Sequence, residues 1–209
     1  MKEILLCFFL ALSLHAANAQ DKKQTTLIEG GLLTYGVATK ELGFSFRGIH
    51  SKKVLPDLYV GLGTGYEKYM MNEVDGKAFK ILPLFVQGKY VLNSEKSSSL
   101  FAALDLGYGM GMLNKEQQTE FEKTTHKGGM LASPQIGVVF NTKRRQEFIT
   151  LSFGYKYQGF AEKRYYNSLW SIGTPIQDEM DSSPLQGYDN FTDSKYHLHR
   201  LSIMLGFGF

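Results

Sequence analysis

The sequence predicts an all-β fold: an eight-stranded antiparallel up-and-down transmembrane β-barrel with short periplasmic turns and long outer loops. Three observations predict it. Large apolar residues alternate with small or polar ones through segment after segment. The links between these segments alternate between short and long. The chain closes on Leu201 to Phe209, with Leu201, Ile203, Leu205, Phe207 and Phe209 on one strand face. Ser202, Met204, Gly206 and Gly208 fall on the other, because successive side chains point to opposite sides of a strand.

Two units are expected: a signal peptide over 1–19 and a barrel domain over 20–209. Lys2, the apolar run Ile4 to Leu14 and the small-residue site Ala17-Asn18-Ala19 form the signal pattern. That run is too short to span a bilayer, and no apolar stretch of helical spanning length follows it. The one cysteine, Cys7, lies inside the signal core rather than at the cleavage site, so neither a lipid anchor nor a disulfide is expected. A net charge of +3 with no basic stripe implies no nucleic-acid partner.

Strands are expected at about 25–37, 40–50, 57–70, 78–92, 98–112, 128–141, 147–160 and 196–209. In the fifth, Leu100, Ala102, Leu104, Leu106, Tyr108, Met110 and Met112 share a face opposite Phe101, Ala103, Asp105, Gly107, Gly109 and Gly111. In the sixth, Met130, Ala132, Pro134, Ile136, Val138 and Phe140 do so. In the seventh, the apolar face is Ile149, Leu151, Phe153, Tyr155 and Tyr157. The first is the weakest, since Leu27, Ile28, Leu32 and Leu33 do not settle on one face. Links at 51–56, 93–97 and 142–146 are short, and those near 71–77, 113–127 and 161–195 are long. This is the outer-membrane pattern with both termini periplasmic; only the first link, near Ala38-Thr39, departs from it.

A soluble lipocalin-like ligand-binding barrel would point its apolar face inward and a charged face to water. Here the second face is mostly Gly, Ser, Ala and Thr with about one charge per strand, which suits a narrow lumen. Glu41, Arg47, Glu67, Lys89, Asp105, Lys156 and Arg200 are the expected lumen charges, paired as Arg47 with Glu67 and Lys89 with Asp105, so the lumen is expected to be plugged. Tyr66, Tyr108 and Tyr155, each after a glycine late in an odd-numbered strand, are the expected interfacial girdle. Pro83 and Pro134 fall mid-strand, where bulges are expected to absorb them.

Ile81 to Phe85, Phe101 to Gly111, Gly128-Gly129 with Pro134 and Gly137, and Phe153 to Gly159 together resemble the small outer-membrane barrels of the OmpA-like/PorT-like type common in Bacteroidetes. Ser202, Phe207 and Phe209 match the C-terminal assembly signal of that class, with Met204 where glycine is usual. The resemblance implies insertion by the barrel-assembly machinery, contact with outer-membrane lipid, and no particular chemistry. Its members serve as structural anchors, adhesins, or secretion or conjugation accessories.

Some barrels of this size are lipid A deacylases or acyltransferases, which use His and Ser with an acid. His50 lies at a turn and His126 in an expected loop; His197 and His199 sit on the apolar face, away from Ser202. The reading is therefore a non-enzyme without cofactor or metal. A His197–His199 metal site completed by Asp189 or Asp193, or a calcium site from Asp178, Glu179 and Asp181, lacks ligand spacing. The long loop carries Tyr165, Tyr166 and the sole tryptophan, Trp170, and is the expected surface for a protein partner. Deleting Phe209 or replacing it with Asp is expected to abolish barrel assembly, read as loss of the heat-modifiable folded band from the outer-membrane fraction.

Overall fold

The computed structural model describes residues 24–35, 42–70, 78–93, 96–112, 122–142, 147–166, 188 and 190–209. They form eight strands: β1 (Gln24–Thr34), β2 (Gly43–Leu55), β3 (Leu58–Met70), β4 (Ala78–Val91), β5 (Ser98–Met112), β6 (Glu122–Asn141), β7 (Phe148–Tyr166) and β8 (Asn190–Gly208). Each pairs antiparallel with its sequence neighbours, and β1 pairs with β8, so the sheet closes into a ring. The closing seam continues past β8, because Thr26 and Phe209 exchange both backbone hydrogen bonds at 2.7 and 2.9 Å. Up to the level of Thr34↔Leu201, closure removes the free edges that an open sheet would expose. The expected signal segment lies outside the described residues.

Alternation sorts the side chains as expected. Outward positions on all eight strands carry large apolar residues, among them Leu62 and Ile136, each 66% exposed, and Met130 at 75%. Inward positions are buried, from Ile81 to Asp105. A water-soluble domain does not leave such a continuous apolar surface uncovered, so this band is a lipid-facing one. The lipocalin-like arrangement is inverted relative to what is observed.

The two rims differ. At the turn rim, which holds β1's start and β8's end, only Pro56 and Asp57 join β2 to β3. Asp57 adopts φ 68° and Asn93, in the next turn, φ 56°. Asp and Asn tolerate this left-handed region because their short polar side chains satisfy local backbone groups. The loop rim carries the links 35–42, 71–77, 113–121 and 167–189. The first link therefore follows the alternation after all, because β1 stops at Thr34.

Three strands run further toward the loop rim than expected: β6 starts at Glu122, β7 ends at Tyr166 and β8 starts at Asn190. Their extensions pair in register from Glu122↔Tyr166 and Tyr166↔Asn190 downward. Polar residues occupy both faces there, so the apolar alternation that marks a membrane strand is lost while the ladder continues. His126 consequently lies on β6, and Tyr165 and Tyr166 on β7, rather than in loops. Trp170 lies outside the described residues.

The prolines are not absorbed by bulges. Register is the same on both sides of each: Thr64↔Leu84 and Glu67↔Ile81 flank the Pro83 gap, and Ala132↔Tyr157 and Gln135↔Gly154 flank that at Pro134. Each proline keeps its pairing with β5 and leaves a gap toward its other neighbour, since it lacks one N–H. Thr64 Oγ1 donates to the Pro83 carbonyl at 2.9 Å across the first gap. The register shifts fall instead at Lys53/Leu55 and at Gly128/Leu131.

Candidate functional site: the filled lumen

Inward glycines make room for inward aromatic rings on the facing strand. Gly63 is opposite Phe85, and a Cβ on Gly63 would overlap that ring. Gly137 is opposite Phe101, whose ring would lie 2.6 Å from an added Cβ. The lumen thus holds large rings as well as the small residues that the sequence emphasised. Leu33, Tyr69, Phe79, Ile81, Phe160 and Leu198 form a buried apolar layer toward the loop rim. Leu27, Ile49, Phe85 and Leu131 form another on the turn-rim side, followed by Val91, Phe101, Ala103 and Val139.

Between these layers lies a charged network centred on Arg47, which is 2% exposed. Arg47 donates from Nε to Glu29 at 2.7 Å, from Nη1 to Asp105 at 2.6 Å and from Nη2 to Gln135 Oε1 at 2.8 Å. Asp105 also accepts from Gln87 at 2.8 Å and from Gln135 at 2.6 Å. Glu67 forms a second node. It is paired with Lys156, and it accepts from Ser45 Oγ at 3.0 Å and from the Tyr69 hydroxyl at 2.7 Å. Residues of the seven strands β1 to β7 are tied together in this way. Buried charges need hydrogen-bonded partners; Arg47, Asp105 and Glu67 each have several, and Glu29 and Lys156 each have one.

The expected pairs are rearranged. Arg47 bonds Glu29 and Asp105 rather than Glu67, and Lys156 takes Glu67. Lys89 does not reach Asp105. It is opposite Ala103, and its ammonium rests over the Phe101 ring at 4.2 Å and the Phe148 ring at 5.6 Å. Cation–π contact replaces an ion pair there. Arg200 is buried at the loop-rim end, donating to the backbone carbonyls of His199 and Met70 and lying over Tyr35. Glu41 lies outside the described residues. Sequence reasoning missed Glu29, because β1 has apolar residues on both faces: Leu27 and Leu33 join the lumen layers, while Ile28 and Leu32 face lipid. It also missed Gln87, Gln135, Ser45 and Tyr69, since formal charge was the signal used.

The remaining candidates take these places. Tyr66, opposite Phe46, and the exposed Tyr108 and Tyr155 all face outward. The Tyr155 hydroxyl meets His199, and the Tyr157 hydroxyl meets His197 at 2.8 Å. Ser202 is buried inside, remote in facing from both histidines, and Phe207 faces outward. His126 packs between Phe79 and Phe160, with Nε2 3.3 Å from Glu162. Asp193 is held by Lys163 at 3.3 Å, and Asp189 is outside the described residues. Toward the turn rim a cavity of about 100 Å³ is left beside Lys89, Gln87 and Tyr59. What this arrangement does chemically is fill the lumen: apolar layers enclose a network in which Arg47, Glu29, Asp105, Glu67 and Lys156 are all paired, while Gln87 Oε1 is left without a partner among the described residues.

Two outcomes follow. Arg47→Met leaves Glu29 and Asp105 buried without a cation and is expected to cost about 3–5 kcal/mol in urea unfolding from detergent micelles. Adding Glu29→Gln and Asp105→Asn is expected to restore much of that loss. Planar bilayers containing the wild-type barrel should show no large, stable conductance step.

No protein-family model matches the chain, and no curated protein does. Among solved structures it is similar to the outer membrane protein OprG from Pseudomonas aeruginosa, at 9% identity and a TM-score of 0.56, over 89% of this chain and 94% of that one. Neisserial surface protein A (NspA) is also similar, at 12% identity and a TM-score of 0.45, over 88% and 94%. At such identity the likeness to OprG establishes the fold, and with the outward apolar band it makes this chain an eight-stranded membrane barrel of the outer-membrane type.

Proposed function

We propose that this chain is a structural or protein-interaction barrel of the bacterial outer membrane, of the OmpA-like/PorT-like type, and not an enzyme. Its turn rim lies in the periplasm and its loop rim outside the cell, after removal of the signal peptide and insertion by the barrel-assembly machinery. Outer-membrane lipid surrounds the apolar band, with Tyr66, Tyr108 and Tyr155 as its interfacial girdle. Secretion, conjugation and adhesion are the settings in which such an accessory works.

The observation that carries the interaction role is the raised sheet of β6, β7 and β8. The ladder between β1 and β8 stops at Thr34↔Leu201, whereas β8 stays paired with β7 up to Asn190. Among the described residues, no strand covers the other edge of β8 from Asn190 to Arg200. Exposed strand edges accept an added strand, with main-chain hydrogen bonds giving affinity. At the tip Tyr165 packs against Tyr188 and Phe191, both at 6.2 Å between ring centres. Aromatic clusters of this kind are enriched at protein interfaces.

A photo-crosslinking amino acid at Tyr165, in intact cells, is expected to capture one partner protein that also co-purifies from native membranes. The same probe at lipid-facing Leu100 should not capture it. Crosslinks to lipid alone from both positions, with no co-purifying protein, would remove this reading.

A further inference from the structure

Two lysine rows stand on the outward face near the loop rim. In the first, Lys68 of β3 is directly opposite Lys80 of β4, and the row continues as Phe44 on one side and Met112 on the other. Both lysines face outward, because Glu67, Tyr69, Phe79 and Ile81 beside them are buried in the lumen. Like charges directly opposite on one sheet face repel, since their Cβ atoms lie about 5 Å apart. No described carboxylate lies within ion-pair distance of either, and the outward positions around them are apolar. In the second row, Lys127 of β6 and Lys195 of β8 flank Ala161 of β7 in register. The small central residue leaves a saddle between two lysines whose backbones lie about two strand spacings, roughly 10 Å, apart. Next along the same outward face come His197, opposite Gly159, and His199, opposite Tyr157. These begin the aromatic belt, with Leu201 and Ile203 of the lipid band beyond them.

Among the described residues, the turn rim has no such row. Its outward Lys52 is opposite Gln24 on one side and Val60 on the other. Among the described residues, the paired lysines therefore stand at one level of the barrel, the end of the apolar band at the loop rim. Lysine stems extend along apolar surface and deliver the ammonium to the headgroup level. Resting on the outer-membrane reading above, we propose that these two rows bind the phosphate groups of lipid A in the outer leaflet. The anion sits between Lys68 and Lys80, and again over Ala161 between Lys127 and Lys195. It relieves the repulsion within each pair and seats the acyl chains against the apolar band below.

Native mass spectrometry of the purified barrel in detergent tests this, with bisphosphorylated lipid A, its dephosphorylated form and phosphatidylglycerol as probes. Bisphosphorylated lipid A should bind at least tenfold more tightly than the dephosphorylated form. The pair variants K68Q/K80Q and K127Q/K195Q should each weaken binding at their own row roughly 25-fold, since each lysine near an anionic headgroup contributes on the order of fivefold. K52Q should bind as wild type. Equal binding of the dephosphorylated lipid, equal binding of phosphatidylglycerol, or pair variants indistinguishable from wild type would overturn the proposal. Heat-modifiable migration of every variant verifies folding. Recovery of the native protein from a fraction other than the outer membrane would instead overturn the localisation, a result that the titration does not produce.

Discussion

An eight-stranded ring encloses enough room for side chains and little else. Every inward residue of this chain has to share that room, and most of the structure depends on how it does so. The solution is layered. Rings of Phe79 and Phe160 fill one end, Phe85 and Phe101 the other, and Arg47 with its carboxylates occupies the middle. The glycines opposite the rings are the other half of that packing. Because the charged middle draws residues from seven strands, it fixes their relative register more firmly than apolar contacts could. Hydrogen bonds accept only narrow geometries, whereas methyl groups slide past one another.

The outside is governed by a different rule, that of depth. The apolar band, the Tyr155–His199 and Tyr157–His197 pairs, and the lysines occupy successive levels from lipid toward water. Each side chain suits the solvent at its own height. Beyond the band, β6, β7 and β8 carry charge on both faces, with Lys163 bound to Asp193 and Arg164 to Glu122 at 2.9 Å. These exposed pairs add little stability, so the ladder itself holds the raised sheet.

The membrane-embedded part of the fold was legible in the sequence because lipid imposes a strict two-residue period there. Strand existence, the facing of Leu100 to Met112 and the inward placement of Arg47, Glu67, Lys89, Asp105, Lys156 and Arg200 all follow from that period. What escaped was of two kinds. The extensions at Glu122, Tyr166 and Asn190 lie where both sides meet water, so the period vanishes although the strands do not. The partners inside the lumen escaped because neighbouring strands are staggered: Lys89 is level with Ala103, one step from Asp105, and a two-residue offset decides who bonds whom. β1 hid Glu29 for a related reason, since an apolar lumen layer and an apolar lipid face erase the contrast between the two sides of a strand.

The proline gaps divide the ring. Pro83 interrupts the seam between β3 and β4, and Pro134 the seam between β6 and β7, while both remain joined to β5. The three strands β4, β5 and β6 therefore form a panel bounded by two interrupted seams, with the other five strands as its frame. A closed ring has no loose end at which to begin coming apart. This one has two seams that each lack part of their ladder, and Arg47, on the frame, is stitched across to Asp105 and Gln135 on the panel.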